Sequence, residues 1–140
     1  MKTITVTRKL SAAEVLAFDA ASEIEIIAAP GTGKMLKFKY AVIAKIAGTA
    51  VGTVSDVWDF IYSGETTSLA QIAAADAENV IDTGTSAATY TMHFESGTDD
   101  LDLIAGDCVN KGISIKATGN TAASDAELQI TVCADIIYIG

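Results

Sequence analysis

The chain has few of the residues on which most enzyme and metal sites depend. It holds one histidine, His93, and two cysteines, Cys108 and Cys133, with neither a C-x-x-C pair nor a cysteine–histidine spacing typical of zinc. A catalytic nucleophile, base and acid would need such side chains in one cleft, and no serine lies in a recognisable catalytic motif. We therefore expect no enzyme activity, no cofactor and no catalytic, cofactor-binding or metal-binding residue. Free thiols, as cytoplasmic assembly implies, are the favoured state of both cysteines, with a disulfide between them as the alternative.

Basic residues and long apolar runs are also scarce. The 140 residues include 9 Lys and Arg against 18 Asp and Glu, for a net charge of −9. The basic residues form no long patch interleaved with aromatics, so we expect no nucleic-acid binding. No apolar run approaches the roughly 20 residues of a membrane span. The opening segment MKTITVTRKL lacks the apolar core of a secretory signal, so we expect no membrane association.

The charges that are present are unevenly distributed. Residues 1–45 carry seven basic and four acidic side chains, whereas residues 46–140 carry two basic and fourteen acidic ones. This asymmetry indicates either opposite ends that meet opposite surfaces, for instance between subunits, or an acidic surface that keeps the protein solvated. Half of the residues are hydrophobic and the mean hydropathy is +0.37. We expect the surplus apolar surface to lie in subunit interfaces.

The segment EIEIIAAPGTGKMLKFKY, Glu23–Tyr40, superficially resembles a phosphate-binding P-loop. Gly33 and Lys34 fit the end of G-x-x-x-x-G-K-[ST], but Ala28 replaces the first glycine and Met35 replaces the hydroxyl residue. After Lys34, apolar and polar residues alternate, which is typical of a half-buried strand and not of the helix that a P-loop requires. We interpret the segment as a β-hairpin that turns at its Pro-Gly-Thr-Gly sequence.

Three lysines follow that turn in an otherwise acidic chain. Lys34, Lys37 and Lys39 are spaced along the predicted strand and form a basic edge. Because opposite charges steer protein surfaces together, we predict that this edge meets an acidic neighbouring surface.

Alternating apolar residues predict strands through most of the remaining chain. The sequence Ser11-Ala12-Ala13-Glu14 is a capping box that predicts a short helix over Ala12–Phe18. Ser68–Val80 has helical composition, although a loop across the end of a sandwich is the alternative. No internal repeat is visible, which excludes a solenoid or propeller. We predict a mainly β fold, an antiparallel, jelly-roll-like β-sandwich with one or two short helices, in a single domain over residues 1–140. The predicted strands outside the hairpin are Lys2–Lys9, Val54–Tyr62, Ala88–Glu95, Cys108–Thr118 and Leu128–Ile139.

Some side chains invite a binding hypothesis. An aromatic row on one strand face favours core or interface packing, with a ligand platform as the alternative. The single histidine falls on the polar face of its strand, and a run of aspartates is typical of an acidic loop rim because it lacks the spacing of a calcium-binding EF-hand. These residues are Trp58, Phe60 and Tyr62, then His93, then Asp99, Asp100, Asp102 and Asp107.

Four segments in this order resemble the small virion structural proteins of tailed bacteriophages, of the head-decoration or minor capsid type: AEVLAFDAA, IIAAPGTGKMLKF, NKGISIKATG and LQITVCADIIYI. The likeness is loose over most of the chain and closer over residues 12–38, and the chain departs from the group in lacking an aromatic-rich terminal strand. The resemblance implies a non-enzymatic β-sandwich, often a trimer, that is assembled in the host cytoplasm. It also implies a place on the capsid surface, against the major capsid protein or other virion proteins.

Two other roles are compatible with the same pattern. One is a tail or fibre component. The other is a carbohydrate-binding β-sandwich module that would use Trp58, Tyr62 and the acidic loops.

Overall fold

The computed structural model describes residues 2–17, 22–48, 52–66, 68–82, 91–95, 108–122 and 124–139. These ranges contain ten strands and two helices. In chain order they are β1 (Lys2–Leu10), α1 (Ala12–Ala17), β2 (Ile24–Ile27), β3 (Lys34–Ala47), β4 (Thr53–Val54), β5 (Trp58–Tyr62), β6 (Ser68–Ile72), α2 (Ala74–Asp82), β7 (Thr91–Glu95), β8 (Ile113–Ala117), β9 (Thr121–Ala122) and β10 (Glu127–Tyr138).

The eight longer strands form two antiparallel sheets with a jelly-roll order. The first sheet has the order β1-β10-β3-β7 and the second has the order β2-β8-β5-β6, while β4 and β9 make a separate short ribbon. Along the chain, the first strand of the eight pairs with the last, β2 with β8, β3 with β7, and β5 with β6. The β10–β3 and β8–β5 pairings then join these ribbons into the two sheets. This is the double-sheet jelly roll, and it confirms the predicted fold class.

The core lies between the two sheets. The predicted aromatic row on β5, Trp58, Phe60 and Tyr62, is buried against it. The rings of Phe38 and Phe60 lie 5.5 Å apart, and the Tyr62 hydroxyl donates a 2.5 Å hydrogen bond to the Leu36 carbonyl. The row therefore packs the core, as predicted, and neither Trp58 nor Tyr62 is exposed to stack on a sugar. The hypothesis of a carbohydrate-binding module loses the two aromatic residues on which it depended.

The alternation along β3 changes phase at Lys39. Leu36 and Phe38 point to the core, and beyond Lys39 the buried residues are Ala41 and Ile43, not Tyr40 and Val42, which an unbroken alternation would bury. The register explains the difference, because β10 residues Cys133 and Ala134 are consecutive whereas their partners on β3 are Tyr40 and Phe38. One extra residue on β3 makes a bulge, and such a slip moves later side chains to the opposite face.

The predicted β-hairpin between β2 and β3 is wrong. β2 pairs with β8 and β3 pairs with β10 and β7, so the Pro30–Gly33 segment crosses from one sheet to the other. The turn chemistry is nevertheless present. The Lys34 N–H donates to the Gly31 carbonyl at 3.2 Å, and Gly31 and Gly33 have positive φ angles of 106° and 71°. A Pro-Gly signal predicts a reversal of the chain, but it does not say which strand each arm will pair with.

Asn110 stabilises the Pro30–Gly33 segment through two hydrogen bonds. Its side-chain oxygen accepts the Gly31 N–H at 2.9 Å, and its own N–H donates to the Lys34 carbonyl at 2.8 Å. Asn110 has a φ of 54°, in the left-handed region that asparagine tolerates better than most residues.

We expect Asn110→Ala to lower the free energy of unfolding by about 1–3 kcal/mol, because it removes the Gly31 hydrogen bond and adds left-handed strain. Asn110→Gly separates the two causes, since glycine adopts this φ without strain and loses only the hydrogen bond. Urea denaturation of both variants measures the difference. If Asn110→Gly were as destabilised as Asn110→Ala, backbone strain would have no part in the effect.

The prediction for Ser68–Val80 is partly wrong. Ser68–Ile72 is strand β6, paired with β5, and the helix α2 begins only at Ala74. Leu69 and Ile72, both on β6, are buried in the hydrophobic core. A spacing of three residues is typical of a helix. In the structure the β5–β6 pairing shifts register between Phe60 and Ile61, and this bulge allows Leu69 and Ile72 to be buried although both lie on a strand.

The predicted capping box is confirmed at the start of α1. The Ser11 hydroxyl accepts the Glu14 N–H at 3.2 Å, and the Glu14 carboxylate accepts the Ser11 N–H at 3.1 Å. The hydrogen bond from the Ser11 backbone lowers the pKa of Glu14, and the nearby Arg8 acts in the same direction. The start of α1 is thus determined by hydrogen bonds between residues that are close together in the sequence.

Candidate functional site

The first sheet has one face against the core and an outer face. Residues directly opposite each other in an antiparallel pair lie on the same side of the sheet, so the register defines this outer face. It combines threonines with charged, aromatic and apolar side chains. Its members are Thr3, Thr5, Thr7 and Lys9 on β1, Gln129, Thr131, Cys133 and Asp135 on β10, and Lys37, Lys39, Tyr40, Val42 and Ala44 on β3.

Side chains on the outer face are tied to one another across strands. The Thr3 hydroxyl donates to the Asp135 carboxylate, and the Thr7 and Thr131 hydroxyls lie 2.9 Å apart. The Lys39 ammonium lies 3.9 Å from the same Asp135 carboxylate, which is buried although Lys39 is well exposed. Asp135 is therefore occupied by neighbours on both strands, and the face presents its lysines and hydroxyls rather than a free carboxylate.

The two cysteines are free and buried, which confirms the prediction of unpaired thiols. Cys133 lies on the outer face, where a side-chain hydrogen bond with it raises the pKa of Tyr40. Cys108 lies in the core near Tyr62, whose pKa is raised by burial and further by the negative charge that Cys108 carries when it ionises to a thiolate. Both thiols are shielded and so lack the exposed setting of a reactive cysteine.

The three lysines of the predicted basic edge separate into two positions. Lys37 and Lys39 lie on the outer face, whereas Lys34 lies at the end of β3 with its ammonium 5.3 Å from the centre of the Tyr138 ring. A single row of three is therefore wrong, because the bulge and the strand end change the direction of the side chains. Tyr138 and Ile139 are 67% and 45% exposed at the same end of the sheet.

We call the group of Lys34, Tyr138 and Ile139 the basic corner, whereas Lys37 and Lys39 belong to the outer face. The Ile139 N–H donates to the Gly33 carbonyl at 2.9 Å, which fixes the last described residue against the crossing between the sheets. An exposed tyrosine is typical of protein–protein contact sites. The lysines were identifiable in the sequence, and the apolar end of the last strand was a signal for an interface. The placement of Lys34 beside Tyr138 depends on the β3–β10 register.

The other residues considered in the sequence do not form a site in the described part of the chain. Lys34 begins a strand, as predicted, so the helix that a P-loop needs is missing. His93 lies on β7 in register with Val42. The aspartates from Asp99 to Asp107 lie outside the described residues. Among the residues that are described, no group of three His, Cys, Asp or Glu side chains is arranged to hold a metal ion, and no helix is long and apolar enough to cross a membrane.

Comparison with known proteins finds similarity at the level of structure. No protein-family model matches the chain, and no curated protein sequence matches it. A chain in the structure "Cyanophage Pam1 capsid asymmetric unit" is similar with a TM-score of 0.50 and 14% identity, over 99% of this chain and 84% of that chain. A chain in "Acidic stable capsid structure of Helicobacter pylori bacteriophage KHP30" is similar with a TM-score of 0.48 and 9% identity, over 100% and 94%. The fold of this chain is thus one that is found in a phage capsid structure.

Proposed function

We propose that the chain is a non-enzymatic structural protein of a phage virion, bound on the capsid surface and stabilising the shell. The observation that supports this most is the similarity of the jelly-roll fold, with a TM-score of 0.50 over 99% of the present chain, to a chain in a cyanophage capsid structure. In this proposal residues 1–140 act as one β-sandwich domain, with no catalytic, cofactor or metal residue. The protein is made in the host cytoplasm and resides in the virion.

The basic corner and the outer face supply the contact with the shell. Lys37 is exposed and Lys39 has a 44% exposed side chain, so their charge is available to an acidic surface of the major capsid protein or another virion protein. Tyr138 and Ile139 add apolar area that an interface would bury. A homotrimer presents three such corners, and multivalent attachment then turns weak single contacts into tight binding.

Purified virions test the proposal directly. Mass spectrometry of gradient-purified particles is expected to find the chain at a fixed ratio to the major shell protein, and gold-labelled antibody is expected to mark the head. Labelling confined to the tail would contradict the capsid position and support a tail or fibre component. Absence of the chain from particles would overturn the virion role. Light scattering of the free protein is expected to give three times the 14.5 kDa chain mass.

The double variant Lys37→Gln/Lys39→Gln is expected to weaken binding to particles assembled without the protein by about tenfold or more at low salt, because a loss at each subunit is multiplied in a multivalent complex. Co-sedimentation measures it. Lys111→Gln/Lys116→Gln is the matched control with the same net charge, since Lys111 pairs with Glu65 and Lys116 lies on the second sheet. Equal loss in both double variants would show that overall charge, and not the outer face, governs binding.

A further inference from the structure

Strand β1 is an edge of the first sheet. It pairs with β10 from Lys2 to Leu10 along one side. In the described part of the chain, no main-chain group of another element pairs with its other side. An edge strand leaves a row of N–H and C=O groups that another extended chain can pair with.

The neighbouring edge of the second sheet, strand β2, is contacted by a charged side chain. Arg8 reaches from β1 and donates a 2.6 Å hydrogen bond to the Glu25 carbonyl of β2, and the Glu14 carboxylate holds the same guanidinium at 3.0 Å. That contact caps β2 with a charged side chain, which is one of the ways proteins block an edge. On β1 the stretch from Thr3 to Thr7 has no such cap among the described contacts, and all five of its residues are threonine, isoleucine or valine.

The charges on β1 narrow the choice of partner. Lys2 and Lys9 are exposed at the two ends of the strand, and β1 has no acidic residue. Lys2 lies in register with Ile136 on the core side of the sheet and Lys9 with Gln129 on the outer side, so the two side chains project to opposite faces of the strand. In an antiparallel pairing of two copies of β1 centred on Thr5, Lys2 of one copy would lie directly opposite Arg8 of the other, and a parallel pairing in register would place identical lysines side by side. Like charges across a strand pair are destabilising. An acidic strand would instead bring carboxylates beside both lysines.

We propose that the outer edge of β1, which no main-chain group in the described part of the chain pairs with, accepts an extended segment of a neighbouring virion protein, a short β-branched run flanked by acidic residues, as a fifth strand of the first sheet. This inference rests on the proposed function for the source of the segment. The pairing chemistry itself belongs to β1. Main-chain hydrogen bonds along Thr3–Thr7 supply the affinity, and Lys2 and Lys9 supply the preference for acidic ends.

The probe is a synthetic peptide, Glu-Val-Thr-Val-Thr-Val-Thr-Glu, whose terminal glutamates project to opposite faces as Lys2 and Lys9 do, and its control has lysine in place of both glutamates. With the full chain, NMR hydrogen exchange is expected to show slower exchange of the alternate outward amides of Thr3–Thr7 when the acidic peptide is bound. We expect the lysine peptide to bind about tenfold more weakly or worse, because two attractive pairs become repulsive. The variant Lys2→Glu/Lys9→Glu, changed only at exposed positions, is expected to reverse the preference. Protection elsewhere than β1, or equal binding of both peptides, would overturn the proposal.

Particle-bound protein separates this inference from the proposed function. When the protein is attached to purified particles, mass-spectrometric hydrogen exchange is expected to show the β1 segment protected relative to the free protein. Protein that is attached to particles with β1 exchanging as fast as in solution would remove the strand-addition proposal and leave the virion role intact. Protein that is absent from particles, yet binds the acidic peptide at β1, would remove the virion role and retain the edge as a strand-binding site.

Discussion

Replacing Phe60 with alanine is expected to lower the free energy of unfolding by about 3–5 kcal/mol. Phe60 is fully buried between the sheets, and its ring lies 5.5 Å from that of Phe38, so truncation leaves a cavity where the two sheets meet. Because a domain of this kind is stable by only about 5–15 kcal/mol, the variant retains a fraction of its stability. Urea denaturation followed by the fluorescence of Trp58, the single tryptophan, measures the change.

The matched control is Leu16→Ala, which also removes a large hydrophobic side chain. Leu16 is 41% exposed on α1, so its loss is expected to change stability by about 0.5 kcal/mol or less. Similar midpoints for the two variants would contradict the inward placement of the β5 row.

Replacing Lys45 with glutamate is expected to cost about 3–5 kcal/mol, because it leaves an uncompensated charge in the interior. Lys45 lies on β3 with only 4% of its surface exposed, and its ammonium donates a 2.7 Å hydrogen bond to the Ile81 carbonyl near the end of α2. A cation is favoured at the carboxyl end of a helix, and a carboxylate there meets both the helix dipole and the carbonyl oxygen with the wrong sign. Thermal unfolding at neutral pH measures the loss.

The pH dependence of stability and a second variant test whether the buried charge causes the destabilisation of Lys45→Glu. Burial raises the pKa of a carboxyl group, so the folded variant takes up a proton before the unfolded chain does. Its stability deficit is therefore expected to shrink as the pH falls from neutral toward about 5. Lys45→Met has no charge and leaves only the Ile81 carbonyl without its partner, so we expect a smaller loss of about 1–3 kcal/mol. A larger loss in Lys45→Met than in Lys45→Glu would show that the ammonium does not lie in the interior.

Local patterns predicted several elements well. The capping box at Ser11 and Glu14, the aromatic row on β5 and the alternation of β10 from Leu128 to Ala134 are all present as expected. Each of these three features depends on residues that are close together in the sequence. The inward residues of β10 also lie beside inward residues of β1 and β3, which alternate with the same period. Such features remain visible in sequence because one face of a strand must be apolar when the other meets solvent.

The errors came from pairings between distant parts of the chain. The sequence around Pro30 shows a turn, but the partners of its two arms are β8 and β10, far along the chain. The change in which β3 side chains face the core arises because Lys39 has no partner residue on β10. No residue near Lys39 in the sequence indicates this bulge. Ser68–Ile72 fits a helix by spacing and becomes a strand because β5 provides an edge. Hydrogen bonding between strands decides these cases, and it is not a local property.

The sequence by itself determined that this is a mainly β protein with an apolar core, a capped short helix and three lysines following a Pro-Gly turn. These properties are written in residue type and spacing over a few positions. Only the tertiary structure decided the jelly-roll order, the division of the three lysines between a face and a corner, and the edge position of β1, whose outer side no described main-chain group pairs with, beside the capped edge of β2. Those features depend on which distant strands meet and in what register, and many pairings are compatible with the same alternating pattern until the chain as a whole has folded.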